Sequence, residues 1–63
     1  MKAAETAVRV VLVEDSPALQ QLLAGMISDI AGVEIIGAVE AEDQALAAIE
    51  QYRPDVAIID LEL

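Results

Sequence analysis

Apolar positions along this chain fall into two alternating rhythms. Val8 to Val13 is an almost unbroken β-branched run in which Arg9 is the only polar side chain, the pattern of a strand covered on both faces within a parallel sheet. Ser16-Pro17 then supplies a helix cap and a proline at the first helical position, where a missing N–H costs nothing. From there Ala18, Leu19, Leu22, Leu23, Met26, Ile27 and Ile30 recur at helical spacing, with Gln20, Gln21, Ser28 and Asp29 on the other side. This spacing predicts a helix whose core face includes Ala18, Leu19, Leu22, Met26 and Ile30, closed by Gly32 as its C-terminal glycine.

Val33 to Val39 reads as a second strand of mixed pattern, suited to a sheet edge. Glu42 to Tyr52 carries strong helix formers with acids in its first turn, and Arg53-Pro54 stops it. Val56-Ala57-Ile58-Ile59 is a third strand, closed by Asp60. The order β-α-β-α-β with short connections implies a parallel sheet with right-handed crossovers. If the third strand returns beside the first, the spatial order is 2-1-3, with the switch point between strands one and three. The chain is therefore expected to be one α/β unit, with residues 1–7 a flexible N-terminal segment and residues 8–63 the folded part.

Composition narrows the function. Hydrophobic residues make up 57% of the 63 positions, which argues for a folded core, and Tyr52 is the only aromatic. Twelve acids against Lys2, Arg9 and Arg53 leave a net charge of −9, which repels phosphate backbones and anionic lipid, so neither nucleic acid nor a membrane is an expected partner. Without cysteine or histidine, thiolate chemistry and the usual zinc ligand and general base are excluded. The first residues lack the apolar core of a signal peptide, and no apolar run approaches the ~20 residues that span a bilayer, so a cytoplasmic protein is expected.

The candidate chemistry lies at the carboxyl edge of the sheet. Glu14 and Asp15 follow the first strand and Asp60 follows the third, so three carboxylates can converge where open α/β sheets form their sites. Neighbouring negative charges raise one another's pKa unless a cation offsets them, and a hard divalent cation such as Mg²⁺ does so with oxygen ligands. Other roles are open to the same residues: Asp60 as a turn residue, Ser16 as a simple cap, and Glu40, Glu42, Asp43 and Glu50 as a solvated face.

The residues resemble the receiver domains of two-component response regulators, the CheY-like subset of the flavodoxin-like folds. Val10-Val11-Leu12-Val13-Glu14-Asp15-Ser16 is similar to their acidic-pair motif. Gly37 with Ala45-Leu46 is similar to the signature of the second strand and helix, and Arg53-Pro54-Asp55-Val56-Ala57-Ile58-Ile59-Asp60-Leu61 to the phosphorylation-site motif. The resemblance covers the N-terminal half of such a domain and implies that Asp60 accepts a phosphoryl group from a histidine kinase or histidine phosphotransfer protein. It further implies that Asp15 binds Mg²⁺ directly, Glu14 through water, and the Glu62 backbone carbonyl completes the protein ligands. The family's fourth and fifth strands, with their Ser/Thr switch residue and lysine, have no counterpart in these 63 residues, and Lys2 precedes the first strand.

On this reading the chain is a signalling module and not an enzyme, catalysing only its own phosphorylation and dephosphorylation. A topoisomerase-primase (Toprim) Mg²⁺ enzyme is an alternative, because Glu14 and Asp60-Leu61-Glu62 loosely mimic its acids, although Asp15-Ser16-Pro17 lacks the expected glycine. A third reading is structural: an apolar third-strand edge that pairs with another copy, making the chain a homo-oligomer.

Overall fold

The computed structural model describes residues 7–60. Along the chain run β1 (Val8–Val13), α1 (Pro17–Ser28), β2 (Val33–Val39), α2 (Glu42–Tyr52) and β3 (Val56–Ile59). The strands form one parallel sheet in the order β2-β1-β3, the expected α/β topology of a flavodoxin-like fold with β1 central. The proposed flexible segment and Glu62 lie outside the described residues, apart from Ala7.

β1 explains the core. Its residues Val10, Val11, Leu12 and Val13 are buried, and because strand side chains alternate, they serve two faces. Val11 and Val13 meet Ala45 and Ala48 of α2, with Ile36 and Val39 packed around them. Val10 and Leu12 point the other way, toward α1. Tyr52 lies over β2, its ring 3.5 Å from where a Cβ on Gly37 would stand. Between Val10 and Val11 the pairing with β2 skips from Ile35 to Gly37, so Ile36 is an extra residue in the edge strand.

Local chemistry sets the helix ends. Ser16 caps α1, its Oγ accepting from the Leu19 N–H at 3.3 Å, with Pro17 at the first position as expected. α2 has no side-chain cap at Ala41; Glu42 and Asp43 instead place negative charge in its first turn, where the helix dipole favours it. At its other end Arg53 adopts a left-handed conformation (φ 49°), strained for a residue with a Cβ. The guanidinium of Arg9 offsets this strain by donating to the carbonyls of Tyr52 (2.7 Å) and Arg53 (2.8 Å). The same residue is tied to Asp55 through Arg9 N–H to Oδ2 and Asp55 N–H to the Arg9 carbonyl, both 2.8 Å. Arg9 thus joins β1, α2 and the start of β3 at the amino edge of the sheet.

Two expectations about α1 are corrected. Leu22, Met26 and Ile30 are 59%, 59% and 55% exposed, Ala18 is also exposed, and no α1 residue is fully buried. The apolar surface of the helix is wider than three strands can cover, so Leu19, Leu23 and Ile27 turn inward while the stripe Ala18, Leu22, Met26, Ile30 faces out. Gly32 does not terminate the helix either. α1 ends at Ser28 with Asp29 as its cap, and Gly32, at φ 82°, makes the turn into β2, its carbonyl accepting from the Val8 N–H.

Candidate functional site

Parallel pairing brings the acids together. β1 and β3 run in register to Val13 and Ile59, and the Asp60 N–H extends the ladder one step by donating to the Val13 carbonyl at 3.0 Å. On the other side, the Glu14 N–H donates to the Val39 carbonyl of β2, also at 3.0 Å. Backbone bonds on both flanks of β1 therefore fix Glu14 and Asp60 side by side at the carboxyl edge, where the strand order reverses.

Glu14 is the only charged side chain buried among the described residues, with no exposed surface. Its Oε2 accepts the Ser16 N–H at 2.8 Å, whereas Oε1 has no hydrogen-bond partner. A buried carboxylate oxygen left unpaired is costly, and the site must satisfy it with a proton or a cation. The surroundings favour the proton, raising the Glu14 pKa from 4.5 to about 7. The main cause is the neighbouring Asp60 side chain, which favours the protonated form of Glu14; burial, Asp15 and the charge of Asp60 act in the same direction, and the Ser16 N–H opposes them.

Asp15 is exposed and Asp60 half-buried, and both open onto a cleft of about 370 Å³ whose floor is Val13, Ala45 and Ile59. Glu40, in the loop between β2 and α2, and Glu42, the first residue of α2, complete its lining. Among the described residues no three acidic side chains close on one point tightly enough to hold a metal ion by themselves. The donor set nevertheless fits Mg²⁺, which takes one or two carboxylates and keeps several waters, and the orphaned Glu14 Oε1 is an oxygen in need of a cation.

Of the site residues read from the sequence, Glu14, Asp15 and Asp60 meet at one edge, while the fourth, Glu62, lies outside the described residues, as does the second acid of the Toprim-like pattern. Sequence reasoning missed two features. Glu40 and Glu42 are exposed, as expected of a solvated face, but they border the cleft. Gln20, assigned to the polar side of α1, reaches the ends of β1 and β2 through its side chain. A glutamine one helical turn past the Ser16 cap was the available signal, because that position lies over the strand ends.

The chain is similar to several protein-glutamate methylesterase/protein-glutamine glutaminases. Over 59 residues it is 37% identical to a protein-glutamate methylesterase/protein-glutamine glutaminase of Xanthomonas oryzae, a match that takes in 94% of this chain. The corresponding proteins of Agrobacterium fabrum (36% identical, 87% of this chain) and Anaeromyxobacter dehalogenans (37%, 86%) match similarly. In each case the chain spans 16% of the relative's length. No family model matches the chain, and no solved structure gives a significant match.

These relatives correct the expectation of a non-enzyme. They are named for methylesterase and glutaminase activity, although the chain matches only 16% of their length. No helix among the described residues is long and apolar enough to cross a membrane. The part of these proteins that the chain matches is their N-terminal receiver domain, so the chain belongs to the CheY-like receiver domains of two-component response regulators and carries the N-terminal half of one.

Proposed function

We propose that this chain is the phosphoacceptor part of a two-component response regulator of the methylesterase/glutaminase type, working in the cytoplasm with a histidine kinase or histidine phosphotransfer protein as donor. The observation that carries this reading is the placement of Asp60 beside the buried Glu14 at the carboxyl edge between β1 and β3. Asp60 is the nucleophile: a carboxylate oxygen bonds to phosphorus as the phosphorus–nitrogen bond of phosphohistidine breaks, and the imidazole leaves with the electron pair. Glu14, Asp15 and Asp60, with the Glu62 carbonyl, are the proposed Mg²⁺ ligands. When bound, the ion neutralises the phosphoryl oxygens as charge redistributes.

Incubation of the chain with Mg²⁺ and acetyl phosphate tests this directly by intact mass. A gain of one phosphoryl group, absent in Asp60→Asn, is expected; equal labelling of the variant overturns the assignment.

Self-association is a second reading favoured by a separate observation. Edge strand β3 exposes Val56 (44%) and Ile59 (51%), and α1 presents its outer apolar stripe. Open edges and apolar patches of this kind recruit another chain. A sedimenting dimer is the expected result, and a monomer at high concentration refutes it.

A further inference from the structure

Gln20 closes the first turn of α1, half-buried, with its amide aimed at the acid site's backbone. Its Nε2 lies 3.1 Å from the Val39 carbonyl and 3.5 Å from the Glu14 carbonyl. Both partners are acceptors only, so it is the NH₂ end of the amide that faces them. The Val39 carbonyl also takes the Glu14 N–H at 3.0 Å. One side chain therefore links three elements at a single point: the end of β1, the end of β2 and the body of α1.

The location matters because β1 stops at Val13 and α1 begins at Pro17, leaving Glu14, Asp15 and Ser16 to be placed by bonds outside regular structure. Glu14 N–H to β2 and Ser16 N–H to Glu14 Oε2 account for two such bonds. Gln20 supplies the tie from the helix body. Without it the turn is held to α1 only by the Ser16 cap bonds to the Leu19 and Gln20 N–H groups, and no side chain of α1 bonds the strand ends.

We propose that Gln20 is a positioning residue of the acid site, whose amide locks the ends of β1 and β2 to α1 and so holds Glu14 and Asp15 opposite Asp60. The inference rests on reading this edge as a cation-dependent phosphoacceptor site. Outer residues that orient metal ligands typically change metal affinity by about 10–100-fold. Because Gln20 acts through backbone, the lower end, about tenfold, is expected.

The test is calorimetric Mg²⁺ titration of the full chain, with thermal melting of each variant. Gln20→Met keeps the length and removes the N–H donors, and Gln20→Asn keeps the amide but shortens its reach, giving a second and milder probe should the first not fold. Arg9→Ala is the stability control, since it breaks the clasp at the opposite edge of the sheet. Both Gln20 variants are expected to weaken Mg²⁺ binding, by about tenfold for Met, while Arg9→Ala lowers the melting temperature and leaves affinity unchanged. Wild-type affinity in the Gln20 variants overturns the inference, as does a loss of affinity in Arg9→Ala that tracks its loss of stability. A wild-type chain that binds no Mg²⁺ overturns the reading of the site itself.

Discussion

Proton and cation compete for Glu14, and the competition has a calculable pH dependence. With a pKa of about 7, Glu14 is largely protonated at pH 6 and largely ionised at pH 8. A cation that needs the ionised form has its apparent dissociation constant multiplied by about 11 at pH 6 and about 1.1 at pH 8, so affinity improves about tenfold across that range. An ordinary carboxyl titrating at 4.5 gives almost no change over the same interval. Mg²⁺ titrations at half-unit steps from pH 6 to 8 measure this, with Glu14→Gln as the variant in which the slope disappears. Folding carries the opposite sign. Glu14 holds its proton more tightly folded than unfolded, so its contribution to stability is complete below about pH 4.5 and is lost as the pH rises through about 7. Saturating Mg²⁺ is expected to restore stability at pH 8. A Mg²⁺ affinity that stays flat between pH 6 and 8 in the wild-type chain refutes the competition between proton and cation at Glu14.

Leu12→Ala removes a fully buried side chain from the central strand, a change that costs about 2–5 kcal/mol. At about 0.05–0.15 kcal/mol per residue, 63 residues hold about 3–9 kcal/mol in total, so urea denaturation followed by circular dichroism is expected to find much of the variant unfolded. Ser16→Ala loses the Oγ bond to Leu19 and is expected to cost about 1 kcal/mol. The same urea curve checks it, and a wild-type midpoint counts against the cap.

Much of the fold was legible because short-range chemistry specifies it. The β-branched run of β1, the Ser16-Pro17 start and the Arg53-Pro54 stop each act within a few residues, and the observed elements begin and end there. The acids were legible for a related reason: each directly follows a strand, and parallel strands end at one edge. Where the reading failed, the decisive quantity was not local. Leu22, Met26 and Ile30 carry the same helical spacing as Leu19, Leu23 and Ile27, and only the width of the sheet decides which stripe is covered. Gly32 looked like a helix end because glycine favours left-handed backbone; it has that backbone, but in the turn beyond the helix.

By itself the sequence determined the order of elements and the three carboxylates available to one edge, since periodicity and position along a strand encode these. Tertiary structure decided the rest. Glu14 and not Asp15 is the buried acid, because the residue directly after Val13 is still held to β2 by a backbone bond while the next turns out to solvent. The raised pKa of Glu14 beside Asp60 and the reach of Gln20 to two strand ends depend on distances between segments far apart in the chain, which folding alone sets.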